Sequence, residues 1–209
     1  YTTCWKEDIL PALRESGIRL LHHSDLTPAE REAIQQYFQR EISPVLTPLA
    51  FDPTHPFPHI SNLSFNLAVL VKHPERGDCF ARVKVPDIFP RLVPIPTDED
   101  VVLQQMGLGK TGKTQRFVWL DEVIGHNLDD LFPGLEVIAS YPFRVTRDAD
   151  VAIEEDEASD LIEAMEEQLD QRDFTSAVRL ELDASTPEHI REILTRNLQL
   201  PPYLVYTSH

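Results

Sequence analysis

Apolar residues recur along this chain with more than one spacing, and each spacing predicts a different element. Ala33, Ile34, Tyr37, Phe38 and Ile42 fall at intervals that place them on one face of a helix. The run is introduced by Thr27-Pro28-Ala29-Glu30, with Thr as N-cap, Pro at the first helical position and Glu at N3 closing a capping box. A helix is therefore expected from there to about Ile42, stopping before Pro44. Residues 4–16 predict a shorter helix with Ile9, Leu10 and Leu13 on one side, weakened by Pro11 and ended by Gly17; Ile18 to Leu21 then reads as a short strand or extended link. Phe65 to Lys72 is largely apolar, as a strand covered on both faces would be. Cys79 to Val85 instead alternates, with Cys79, Ala81, Val83 and Val85 on one face and Phe80, Arg82 and Lys84 on the other. With the turn signals Pro74 to Asp78 between them, the two predict an antiparallel hairpin.

Further along, Arg91 to Pro96 is a short extended piece and residues 97–115 are a polar, Gly/Lys-rich loop or hairpin tip. Gln115 to Leu120 predicts a strand, followed by a helix through about Leu131 that Pro133-Gly134 terminates. Leu135 to Arg147 predicts one or two strands, interrupted by Pro142. Glu155 to Arg172 has the clearest helical period, with Ala158, Leu161, Ile162, Met165 and Leu169 on one face and acid on the other. A strand at Ala177 to Leu182, a helix started by Thr186-Pro187 with Ile190, Ile193, Leu194 and Leu198 inward, and a strand fragment at Tyr203 to Tyr206 complete the chain. Strands and helices mix without regular βαβ alternation. The expected class is α+β: one mixed, largely antiparallel sheet with packed helices largely on one face, preceded by helices from the end of an N-terminal helical domain.

The expected boundary between these parts is Pro44 to Asn66, PVLTPLAFDPTHPFPHISNLSFN. It carries five prolines, at 44, 48, 53, 56 and 58, which forbid a helix or a central strand. It also carries Val45, Leu46, Leu49, Phe51, Phe57, Ile60, Leu63 and Phe65, so it is a stiff piece that packs rather than a flexible linker. The expected domains are residues 1–43, the end of a helical domain, and 44–209, a mixed α/β domain. The chain begins without Met in a helix-like pattern, as expected of a piece of a longer protein.

Composition narrows the function. A net charge of -16 argues against a general nucleic-acid binder or an anionic-membrane binder, since both need basic surface, but leaves room for a local basic groove. Cys4 and Cys79 make neither a disulfide framework nor a metal pattern, which suits a reducing cytoplasm. No run of about 18 apolar residues predicts a membrane span.

Candidate chemistry is sparse. Gly107 to Thr114 matches G-x-x-x-x-G-K-[ST], but a phosphate-cradling loop needs a buried strand before it and a helix after it. Here Gln115 to Leu120 alternates like a strand where the helix should begin, and a mobile cationic loop is the preferred reading. His55 and His59 have a zinc-like spacing that Pro56 and Pro58 take off any helix. The run from Asp148 to Asp170 contains no Lys or Arg and is a cation-binding face or, more simply, the solvated side of an amphipathic helix. Arg82, Lys84 and Arg144 lie on strands, where fixed cations suit a phosphate or a partner carboxylate. Ordinary surface charge is the plainer alternative for all three, and a stand-alone binding module for a phosphorylated or acidic partner is the rival function.

Five stretches together resemble one family: PVLTPLAFDPTHPFPHISNLSFNLAV, FARVKVPDIFPRLVPIP, FPGLEV, FRVTRDAD at Phe143 to Asp150 and AVRLEL at Ala177 to Leu182. In this order they resemble the polyphosphate kinases that make polyphosphate from ATP through a phosphohistidine. The resemblance implies the end of the N-terminal domain followed by the middle, or head, domain. It also implies reversible transfer of the ATP γ-phosphate to polyphosphate by the whole enzyme, with ATP and Mg2+ held outside this piece. The family's catalytic histidines lie in phospholipase D-like domains, so no catalytic residue and no bound cofactor is expected here, and the piece alone is expected to be inactive. Its implied roles are scaffolding, contacts with the remaining domains, assembly of a homodimer or homotetramer, and lining of a phosphate tunnel, with Arg82, Lys84 and Arg144 as possible polyphosphate contacts. The implied location is cytoplasmic, with membrane association possible for the full enzyme.

Overall fold

The computed structural model describes residues 2–51, 57–75, 77–96, 114–148 and 176–208. Its first element, α1, joins three consecutive helical stretches, Thr2–Cys4, Trp5–Ile9 and Leu10–Glu15, the middle one wound as a π-helix. Gly17 ends it with φ +84°, a backbone that a Cβ would strain, and its N–H reaches the Arg14 carbonyl at 3.1 Å. β1 (Ile18–Leu21) follows. The helix α2 (Pro28–Tyr37) starts as its capping box requires: Thr27 N–H donates to Glu30 Oε2 at 2.8 Å, and Glu30 N–H donates back to Thr27 Oγ1 at 3.4 Å. It continues through a π-helical turn, Phe38–Ile42, before Pro44.

The remaining elements are β2 (Leu49–Phe51), β3 (Phe65–His73), β4 (Gly77–Lys84), β5 (Leu92–Pro94), β6 (Gln115–Trp119), α3 (Leu120–Gly125), β7 (Glu136–Arg147), β8 (Ala177–Asp183), α4 (Glu188–Asn197) and β9 (Val205–Ser208). Two sheets form where one was expected. The larger has the order β2-β4-β3-β7-β8-β9, antiparallel throughout except for β8 and β9. The smaller has the order β1-β6-β5, with β1 and β6 parallel. The split arises because β6 pairs with Ile18–Leu21 from the far end of the chain, a non-local partner that alternation within β6 cannot reveal.

The helix expected to run to Leu131 stops at Gly125. Asn127 leaves helical geometry, with φ -119° and ψ 20°, while its Nδ2 donates to the Val123 carbonyl at 2.8 Å. A short 3-10 turn, Leu128–Leu131, follows. β7 runs unbroken through Pro142. That residue pairs with Leu67 of β3, and the β7–β8 ladder begins one residue later, at Phe143 opposite Leu182, so no strand on that side needs its missing N–H.

Helices cover both faces of the larger sheet, not largely one. On one face Leu67, Val69, Val71, Ala81, Val83 and Val85 share a core with Ile34, Phe38 and Ile42 from α2 and its extension, and with Val118, Leu120, Val123 and Ile124. On the other, Ala68, Phe80, Phe143, Val145, Leu180 and Leu182 meet Ile190 and Leu194 of α4 and Ile60 of the proline-rich segment. Each such fully buried Ile, Leu or Phe is worth about 1.5–3 kcal/mol, so both layers contribute substantially to holding the sheet. The segment after Pro56 packs against the sheet, as its apolar composition predicts. Phe57 stacks against Phe80 at 5.9 Å between ring centroids and meets Phe51 edge-on at 5.4 Å. Arg147 Nε donates to the Ile60 carbonyl at 2.7 Å, and Leu63 N–H donates to the Val145 carbonyl at 2.8 Å.

Candidate anion-binding face

Strand register decides where the three singled-out cations point. Arg82 pairs with Ala68 and Lys84 with Asn66, on the face that carries Phe80 and Phe143. Arg144 pairs with Phe65 on one side and Glu181 on the other, and projects from the opposite face. Arg82 and Lys84 share a face, and Arg144 does not join them.

Arg82 is buried, with 6% of its surface exposed. Its Nε donates to Asn66 Oδ1 at 2.7 Å, and Asn66 Nδ2 in turn donates to the Ser64 carbonyl at 2.9 Å and to Ser64 Oγ at 3.0 Å. Asn66 is thereby oriented by three bonds and holds the guanidinium edge. Arg82 Nη2 is buried without a hydrogen-bond partner, and no ion pair to Arg82 occurs among the described residues. Burial lowers the Arg82 pKa, because the charged form loses water. Lys84 is half-exposed and lies 3.7 Å from Asp87.

The Arg144 side is different. Arg144 Nε meets Glu181 Oε2 at 2.5 Å, and Arg179 Nη2 meets Glu181 Oε1 at 2.7 Å. The Arg144 bond holds the Glu181 carboxyl below its ordinary pKa, against a smaller opposing effect of burial, and raises that of Arg144. Arg179 lies over the Tyr206 ring at 4.4 Å, and Arg91 lies over the Phe65 ring at 4.1 Å with Asp121 3.7 Å away. Sequence reasoning missed Arg91 and Arg179. The period-two alternation of Arg179 and Glu181 within AVRLEL was a usable signal, but nothing local ties Arg91 to Phe65.

The histidines divide similarly. His59 is exposed, and His55 lies outside the described residues. His23 stacks on His126 with centroids 3.9 Å apart, and His22 Nδ1 meets Glu122 Oε1 at 2.8 Å. Among the described residues no group of three or more His, Cys, Asp or Glu side chains could hold a metal ion. Of the phosphate-loop match Gly107 to Thr114, residues 107–113 lie outside the described residues, as do the helix expected over Glu155 to Arg172 and the acidic run after Asp148. No helix among the described residues is long and apolar enough to cross a membrane.

The described residues define an α+β domain whose larger sheet packs on both faces and carries arginines on its strands. Comparison with known proteins supplies the family. Residues 29–209 match the polyphosphate kinase middle domain, and the chain belongs to that family. It is 47% identical over 206 residues to a polyphosphate kinase of Aphanizomenon baltica, covering 98% of this chain and 52% of that protein. It is 43% identical over 205 residues to polyphosphate kinase 1 of Chlorobaculum tepidum, covering 98% of this chain and 28% of that one. The crystal structure of polyphosphate kinase from Porphyromonas gingivalis superposes on all of this chain with a TM-score of 0.73 at 26% identity, using 28% of its own length. The chain thus spans between about a quarter and half of the relatives it matches, which fits the expectation of a fragment and the α+β class.

Proposed function

We propose that this chain is the middle domain of an enzyme that reversibly transfers the γ-phosphate of ATP to a growing polyphosphate chain. The observation that carries this reading is 47% identity sustained over 206 residues with a protein named polyphosphate kinase. The chain itself scaffolds: it offers a rigid sheet against which other domains pack, supports assembly of a dimer, and lines part of the phosphate path. ATP, Mg2+ and the phosphorylated histidine belong to other parts of the enzyme, and the isolated chain is inactive. Lys84 and Arg144 meet phosphate from opposite faces of the sheet, while Arg82 acts from beneath its face. The full-length protein incubated with ATP and Mg2+ is expected to form acid-insoluble polyphosphate and to return ATP from polyphosphate and ADP. Absence of both reactions in a folded full-length protein overturns the reading.

A further inference from the structure

Register places Phe65, Arg144, Glu181 and Tyr206 side by side across β3, β7, β8 and β9, on one face of the sheet. At about 4.8 Å per strand the row is about 14 Å long. Arg91 covers the ring at one end and Arg179 the ring at the other. Three guanidiniums are therefore threaded along one line, with side chains 47%, 47% and 46% exposed for Arg91, Arg144 and Arg179. Two carboxylates accompany them, Asp121 beside Arg91 and Glu181 between the other two. In a chain of net charge -16, a row with more cations than anions is a local reversal of sign.

Glu181 gives one oxygen to each of two guanidiniums, as a bridging phosphate would. Arg144 and Arg179 sit on paired strands, and Arg91 and Arg179 lie over aromatic rings, so little side-chain freedom is lost when an anion binds. We propose that this row is a binding track for an extended inorganic polyphosphate chain, and that Glu181 is a built-in competitor that the polyanion displaces from Arg144 and Arg179. The proposal rests on the polyphosphate kinase reading and deepens it by naming Arg91 and Arg179 as chain contacts. A nucleic acid fits less well, because each ring already carries a guanidinium on one face and the row is one side chain wide.

The test uses the full-length enzyme and fluorescently labelled long-chain polyphosphate, titrated at several salt concentrations. Arg91→Ala with Arg179→Ala, both half-exposed, is expected to weaken binding about tenfold or more. It should also reduce the slope of log affinity against log salt by about one to two units, as the loss of phosphate contacts requires. Glu181→Gln is expected to tighten binding several-fold. A double variant with an unchanged melting temperature, affinity and salt slope overturns the track, and unchanged affinity in Glu181→Gln overturns the competitor role. Single-stranded DNA that competes through the same arginines while polyphosphate does not would also overturn it. Wild-type synthesis of polyphosphate from ATP separates the two failures: if synthesis is present and the variants bind normally, the track alone is wrong.

Discussion

Arg82 donates to Asn66 across the β3–β4 pair at 2.7 Å, deep in the sheet face and without a carboxylate among the described residues. This arrangement makes a sharp demand on Asn66. Among the described residues its Oδ1 is the side-chain acceptor that meets this buried cation, so Asn66→Leu strands the guanidinium. A loss of about 3 kcal/mol is expected, within the range for breaking a buried charged interaction. Arg82→Met keeps the packing stem and removes the charge, and is expected to be near neutral or stabilising. Urea denaturation of the two variants should rank them in that order, and equal losses would refute the account.

The helix α2 is held at its start by Thr27 and, further out, by the ion pair of Glu30 with Arg116 on β6. Burial pushes the Glu30 pKa up, but the bonds from Thr27 and the Arg116 guanidinium outweigh it and the net shift is downward. A depressed carboxyl pKa contributes stability that is present above about 4.5 and fades as pH falls through the lower folded value. Thr27→Ala should cost about 1 kcal/mol at neutral pH. Glu30→Gln should remove part of the acid-side loss, readable as a flatter dependence of the denaturation midpoint below pH 5.

His23 shows the opposite pH behaviour for its residue type. Burial lowers its pKa, and the stacked His126 and nearby Arg31 lower it further, while Glu122 opposes them. The fold therefore favours neutral His23. Stability is fully present above about 6.5 and declines as pH falls toward the folded value, because the unfolded chain binds the proton more readily. His126→Gln should reduce this decline between pH 7 and 5, checked by melting temperature against pH. An unaltered slope would show that the pair does not govern it.

Leu63 adopts φ +57° while 59% exposed, in the turn that enters β3. A left-handed backbone costs a β-carbon residue about 1–2 kcal/mol, less for Asn. Leu63→Asn is expected to raise the melting temperature by a few degrees, since no buried side chain is lost. A fall instead would mean that this leucine is held by contacts made elsewhere in the enzyme.

Local chemistry was legible along the chain. The capping box at Thr27, the alternation of Cys79 to Val85, the turn at Gly77 and the helical period ending at Leu198 each need only neighbours within a few residues, and each appears in the fold. The family motifs were legible too, since they are strings of residues. The candidate site was legible only in part. Alternation shows that Arg82 and Lys84 share a face and that Arg144 points away from Phe143, but it cannot say which face of one strand matches which face of the next.

The sequence alone determined the α+β class, the family and the type of most elements among the described residues. Only the tertiary structure decided that β6 pairs with Ile18–Leu21, that the sheet is covered on both sides, and that Arg82 is buried while Arg144 faces outward beside Glu181. The physical reason is range. Helical period and capping depend on contacts a few residues apart, whereas burial and register are set by segments 37 to 100 positions distant, such as Glu181 from Arg144 and Glu122 from His22. The proline-rich stretch combines both: its prolines announced a stiff path, but only the fold showed that Phe57 and Ile60 close one face of the sheet.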